Sequence, residues 1–355
     1  MRHTRHVVIA AIAAAGMLGV AACGGGGGSA GAAGQKELTV VMWGGEDQKT
    51  HVRDAIEPWA KQNHVNLKQD EPSDYAKFQT QVESGKVSWD LVEVEPHFAT
   101  KACKNGWAEK LDKTKIDTSL VKAELTGECA VPVLEYAFTI GYNSDVYSAE
   151  NHPRTWAEFF DTQKFPGKRG FWKDATGAIF EAALIADGVA PDQLYPLDLD
   201  RAFRKLDTIK QDIVWYDSGA MQQELVSSGE TPLIQAWNGR IYRAATAGRP
   251  AAQEWNQHIL SYDQLVIPRG SENAATAQEW IGWYLSNPAA QAAYSNDTGY
   301  GPVSDAAMQH IKPEVAAELP SSAQNASKRS AIMNYTYWEQ NYEAVTQRLE
   351  EWRAR

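Results

Sequence analysis

From Glu37 onward, short apolar runs rich in β-branched residues alternate with stretches whose apolar residues recur at helical spacing. That alternation narrows the chain to α/β architectures with mostly parallel sheets. Leu38 to Trp43 (LTVVMW) reads as a strand ending at a Gly-Gly turn, and His51 to Gln62 as the helix after it. Trp89 to Val94 (WDLVEV) is a second strand with a short helix behind it over Phe98 to Lys104, and Thr139 to Asn143 is a strand edge leading out of this unit. A capping box, Thr155 with Glu158 three residues on, predicts a helix start. Further helices are expected over 178–186, 199–210, 218–226, 274–285, 288–294 and 337–352, and strands over 231–237 and 265–268. The pattern predicts two α/β lobes with more than one chain crossing between them.

The amino terminus fixes a compartment. Residues 1–8 are short and positive and residues 7–22 are apolar and alanine-rich, the layout of a signal peptide over 1–22. Val20 to Cys23 (VAAC) resembles a bacterial lipobox, so Cys23 is expected to carry a lipid and to begin the mature chain, with an ordinary cleavage site as the alternative. The Gly-rich stretch Gly24 to Gln35 has no side chains for a core, and its twelve residues span roughly 20 Å as a flexible tether, with 23–36 as lipidated cysteine and linker. The expected location is extracytoplasmic, periplasmic or at the cell surface, held to the membrane through Cys23. Cys103 and Cys129 then remain as an even pair in an oxidising compartment, which predicts a disulfide, with two buried thiols as the alternative.

Charge excludes other classes. The chain carries 34 Lys and Arg against 45 Asp and Glu; without residues 1–22, which hold Arg2 and Arg5, the balance is 32 against 45, or −13. Such a body has no basic stripe for phosphates, so no nucleic-acid partner is expected. P-loop, nucleophile-elbow, zinc-protease and CxxC signatures are missing, and the spacing of His and Cys suggests no metal. No catalytic residue and no cofactor is therefore expected, and a secreted hydrolase is the weaker alternative of another class. Tryptophan stands out instead: there are thirteen, with Trp43, Trp172 and Trp237 at strand ends, where α/β lobes bind ligands. Aromatic faces with carboxylates nearby attract ammonium groups.

The lipobox, Trp43, the WDLV run from Trp89, Thr139 to Asn143, Pro153 to Trp156, Leu225 to Glu230 leading into Trp237-Asn-Gly, Asp263 to Pro268, and Thr298-Gly-Tyr300 before Pro302 together resemble the spermidine/putrescine-binding branch of the ABC-transporter solute-binding proteins. The similarity covers essentially residues 37–355. It implies a two-lobe periplasmic-binding-protein fold, type II-like, with the ligand cleft between lobes: 37–141 plus 264–303 as lobe 1, and 142–263 plus 304–355 as lobe 2. It also implies a monomer that delivers a small amine to an ABC permease and ATPase, a polyamine such as putrescine or spermidine first and a zwitterionic ω-amino acid as the alternative, and is itself no enzyme.

On that pattern Trp43, Trp237 and Tyr300 stand at aromatic pocket positions and Asp263 at a carboxylate position, while His97 falls where an aromatic is usual. The second-lobe acidic pair is not kept; the stretch from Asp174 to Phe180 (DATGAIF) leaves Asp174 alone. Arg240 argues further against a long polycation, because a guanidinium repels ammonium and forks onto carboxylate. If Arg240 points into the cleft with Asp263, the site suits a zwitterion such as 4-aminobutyrate; otherwise Arg240 pairs with a surface acid. Glu95, placed in the cleft, would restore a polyamine such as putrescine or spermidine.

Overall fold

A computed structural model describes residues 36–355; the expected signal peptide, Cys23 and all but the last residue of the linker lie outside the described residues. Nine strands form one sheet: β1 (Glu37–Val41), β2 (Asn66–Asp70), β3 (Leu91–Val94), β4 (Ala130–Tyr142), β5 (Arg169–Trp172), β6 (Ile213–Tyr216), β7 (Leu233–Trp237), β8 (Ala252–Val266) and β9 (Ala331–Ile332). Their order is β2-β1-β3-β8-β4-β7-β5-β6, with β9 on β8.

The two long strands make this a two-lobed molecule. β4 and β8 lie antiparallel along most of their length, with irregularities at Pro132/Leu134 and Phe138/Ile140. The C-terminal end of β8 pairs with β3, and so belongs to the wing containing β1 and β2. The C-terminal end of β4 pairs with β7, and so belongs to the wing containing β5 and β6. Within the wings β1–β2, β1–β3, β5–β6 and β5–β7 are parallel, and the antiparallel pairings all involve β4 or β8. The mostly parallel sheet expected from the sequence is therefore a description of the wings. The connection between them is the long antiparallel pair.

Each wing is covered on both faces, which is why its strands read as continuous apolar runs. Leu38 and Val40 pack into the cluster of Trp59 and Trp280, while Val41 turns to the opposite face with Phe78, Val92 and Phe98. The last helix, Tyr335–Arg353, touches both wings. Lys101 and Lys104 of the Pro96–Lys104 helix pair with its Glu343 and Glu339, and its Trp338 and Trp352 indoles donate to Glu181 and Asp207. Cys103, in the Pro96–Lys104 helix, is bonded to Cys129, directly before β4, with Cα atoms 5.6 Å apart. Thr155 caps the Trp156–Phe159 helix by accepting from the Glu158 amide at 3.1 Å. The Glu158 carboxylate takes the Arg154 amide instead of that of Thr155, so the capping box is shifted by one residue.

Candidate functional site

Where the wings meet, the ends of β1, β3 and β7 converge on the C-terminal part of β8. The β3–β8 register sets Glu93 against Leu265 and Val94 against Gln264, so one step further Glu95 stands opposite Asp263. Because strand side chains alternate, Glu93, Glu95 and Asp263 share one face. Glu93 and Asp263 are buried and within hydrogen-bonding reach of each other. Asp263 Oδ2 accepts the Trp43 indole N–H at 2.9 Å, while its Oδ1 is buried without a partner. Burial first, and Asp47 second, push the Glu93 carboxyl up to about 8; burial and Glu93 hold Asp263 well above the usual carboxylate range.

From the other wing, Asn238 begins the Asn238–Thr246 helix directly after β7. Its side chain accepts from the Ala137 amide at 2.9 Å and donates to the Gly299 carbonyl at 2.8 Å, which fixes both that helix and the approach to Tyr300. Arg240, two residues on, is buried and pairs at 3.0 Å with Asp47 of the Gly45–His51 helix in the opposite wing. Burial works to lower the pKa of Arg240, and Asp47 together with Tyr300 and Tyr294 more than offsets it, so the guanidinium is charged. Arg243 adds a second link, donating to Thr50 Oγ1 at 3.0 Å. The Arg240 Nε has no partner.

Two glycines make room for these groups. A Cβ at Gly219 would lie 2.3 Å from Arg240 Cζ and Nε, and one at Gly239 would lie 2.6 Å from the Tyr300 ring. Gly219 is the first residue of the Gly219–Ser228 helix, whose leading N–H groups have no intrahelical acceptor.

Around this centre stand aromatic rings. Trp43 meets Tyr75 edge-on at 6.1 Å, and Tyr300 lies 6.3 Å from Tyr136 and 6.4 Å from Tyr294. Trp237 is half-buried against Trp172 and Tyr216, at 4.9 and 5.9 Å. The excess of tryptophan has a second explanation as well, since Trp89, Trp156, Trp280 and Trp338 fill the cores.

Glu95 and His97 form a neighbouring cluster. Glu95 Oε2 lies 3.2 Å from the Tyr75 hydroxyl and 3.0 Å from Thr176 Oγ1, which belongs to the opposite wing. Thr176 Oγ1 is also 2.9 Å from Asp174, and its single proton serves one carboxyl. Asp174 has the Tyr342 hydroxyl and the Thr176 amide as donors, while Glu95 accepts from the Thr176 and Tyr75 hydroxyls. Burial, Asp174 and Asp263 push the Glu95 carboxyl up, and the two hydroxyl donors work against them. His97 stacks on Tyr342 at 4.6 Å, both ring nitrogens lack partners, and burial holds it neutral, its pKa down to about 3.

Sequence reasoning singled out Trp43, Glu95, His97, Arg240, Asp263 and Tyr300, and the structure brings them together, with Trp237 at the edge. It missed Asp47, Glu93, Tyr75, Thr176 and Tyr294. The alternation of Glu93 and Glu95 at the end of an otherwise apolar strand was a signal for Glu93; Asp47 reads as an ordinary acid in a first helical turn.

This geometry can be set beside known proteins. The model of the bacterial extracellular solute-binding proteins matches residues 54–321. The chain belongs to that family. A gamma-aminobutyric acid-binding protein of Pseudomonas aeruginosa is 30% identical over 327 residues, covering 90% of this chain and 92% of its own. The spermidine/putrescine-binding periplasmic protein of Salmonella typhimurium is 27% identical, covering 72% and 74%. A solved GABA receptor superposes with a TM-score of 0.82 at 38% identity, over 90% of this chain and 98% of that one. The chain is thus a solute-binding protein of the ABC-importer class, extracytoplasmic by family, whose relatives are substrate-binding transport proteins that work with a permease and an ATPase. Among the described residues no helix is long and apolar enough to cross a membrane.

Proposed function

We propose that this solute-binding protein captures a short ω-amino acid, with 4-aminobutyrate as the reference ligand, for delivery to an ABC permease. One observation carries the reading: a buried guanidinium with a free Nε–H and a buried carboxyl with a free oxygen occur in the same aromatic-walled cluster. In this reading Asp263 takes the ligand's ammonium, and Arg240, with the leading N–H groups of the Gly219–Ser228 helix, takes its carboxylate. Trp43, Trp237 and Tyr300 cover the methylenes, and His97 with Glu95 bounds the far side. The similarity to GABA-binding proteins supports the same choice.

A polyamine is the second reading. Glu95 beside Asp263, together with similarity to spermidine/putrescine-binding proteins, speaks for it. Calorimetric titration with 4-aminobutyrate, putrescine and spermidine separates the two. Asp263→Ala is expected to weaken every amine at least 100-fold, and Arg240→Ala to weaken only carboxylate-bearing ligands. Equal losses for putrescine and 4-aminobutyrate in the Arg240 variant would refute the zwitterion assignment.

The rest of the reading is that the protein is a monomer, tethered by a lipid on Cys23 after removal of residues 1–22, with 23–36 as linker. Residues 37–141 plus 264–303 then form lobe 1, and 142–263 plus 304–355 form lobe 2. Cys23→Ser should move the protein from the membrane fraction to the soluble fraction, and unchanged partitioning would remove the anchor.

A further inference from the structure

Glu93 has no role in the account so far, yet it is buried at the centre of the site, one turn of the strand pleat from Asp263. Facing the pair are Glu95 along the same strand, Asp47 and Arg240 across it, and the indole N–H of Trp43. The phenols of Tyr75, Tyr136, Tyr294, Tyr300 and Tyr335 complete the wall, and burial keeps all five neutral. Arg240 is already paired with Asp47 at 3.0 Å. Two carboxylates in contact inside this wall, with no second free cation among the groups facing them, cannot both stay ionised.

We infer that Glu93 is a ligand-site residue whose carboxyl shares one proton with that of Asp263, and that the ligand's ammonium displaces this proton into solvent when it docks. The inference rests on the reading of the ligand as an amine. The balance is simple: one O–H···O bond between the carboxyls is lost, the proton goes to water or buffer, and ammonium N–H groups donate to both carboxylates in its place. An uncharged isostere of the ligand would displace nothing. Glu93 therefore gives a charged amine a second carboxylate, at the cost of the proton that has to leave first.

The sign of the pH dependence follows. In the empty site the pair keeps its shared proton through neutral pH, because burial and each carboxyl's repulsion of the other hold both well above the usual carboxylate range, and in the occupied site the proton is gone. Binding thus tightens as pH rises through the neutral range, by up to about tenfold per pH unit.

Calorimetry with 4-aminobutyrate and putrescine at pH 7, in phosphate and in Tris, measures the released proton directly, because the two buffers differ in ionisation enthalpy. About one proton released per amine bound is expected, and in Glu93→Gln a release below about half of that, since the amide supplies a permanent donor to Asp263. Equal enthalpies in both buffers, with affinity constant between pH 6 and 8, would overturn the inference while leaving the amine reading intact. A full proton still released by Glu93→Gln would overturn the assignment to this residue. No heat with any amine would instead remove the ligand reading itself.

Discussion

Gly219→Ala offers a test of whether Arg240 holds a ligand carboxylate, because its effect should differ between ligands with and without one. The new methyl would lie 2.3 Å from Arg240 Cζ and Nε and 2.7 Å from one terminal nitrogen. Carbon atoms at rest sit about 3.5–4 Å apart, so the guanidinium has to retreat by roughly 1 Å or more. It cannot do so freely, since it is buried and held at 3.0 Å by Asp47. A retreat removes the Nε–H from the carboxylate position, and a hydrogen bond to a charged group contributes about 1.5–3 kcal/mol. The affinity for 4-aminobutyrate should fall about 10- to 100-fold. Stability should fall as well, because overpacking a buried site costs about 1–3 kcal/mol and the gain of alanine over glycine applies to helix interiors, not to a first helical residue such as Gly219. Putrescine has no carboxylate and should be nearly indifferent. Titration calorimetry on both ligands, with a thermal melt of the same preparation, reads all three quantities. A well-folded variant with unchanged 4-aminobutyrate affinity would show that Arg240 does not hold a carboxylate, and an equal loss for putrescine would show a general distortion of the cleft.

Other perturbations probe different parts of the molecule. Gly239→Ala places a methyl 2.6 Å from the Tyr300 ring and, by displacing a wall shared by all ligands, should weaken 4-aminobutyrate and putrescine alike in the same titration. Replacing Cys103 and Cys129 with serine opens a loop of sequence separation 26 and should cost about 3 kcal/mol in urea unfolding. An unchanged midpoint would mean that helix packing alone holds this region. Glu181 lies away from the site, accepts from Tyr195 and Trp338, and is raised by burial to about 7 from 4.5. The folded state therefore favours the protonated form, which costs stability above pH 7 by up to about 3 kcal/mol and costs nothing below about pH 4.5. Glu181→Gln should flatten this part of the stability–pH profile, and a variant that kept the full slope would place the linkage elsewhere.

The wings were legible because both faces of each are covered, which leaves nearly continuous apolar runs such as Leu38 to Met42, and Leu91 to Val94 with Glu93 as its one acid. The long pair between them was not. β8 begins at Ala252, but Gln253, Glu254, Asn256 and Gln257 break its apolar pattern, so only its last residues read as a strand. β4 was caught at its C-terminal end for a similar reason: Pro132 and Glu135 interrupt it, although Glu135 is buried and bonded by Lys122 at 2.7 Å. At the site, residues with unusual chemistry in a turn or strand end, such as Trp43, Arg240 and Asp263, could be picked out singly. Their partners could not. The pairing of Asp47 with Arg240 joins positions 193 residues apart in sequence, and no local pattern encodes it.

Asp263 lies on β8, one of the two strands common to both wings, whereas Arg240 rides on a helix of the far wing. Opening the molecule would bend the shared strands and carry Arg240 away, while Asp263 stays close to the axis of the bend. Capture would then be ordered in time, with the amine engaging first in the open form and the carboxylate last, as the wings come together. Association should depend on Asp263 and residence time on Arg240. In stopped-flow tryptophan fluorescence, Arg240→Ala would accelerate ligand departure and leave the second-order rate of arrival nearly unchanged.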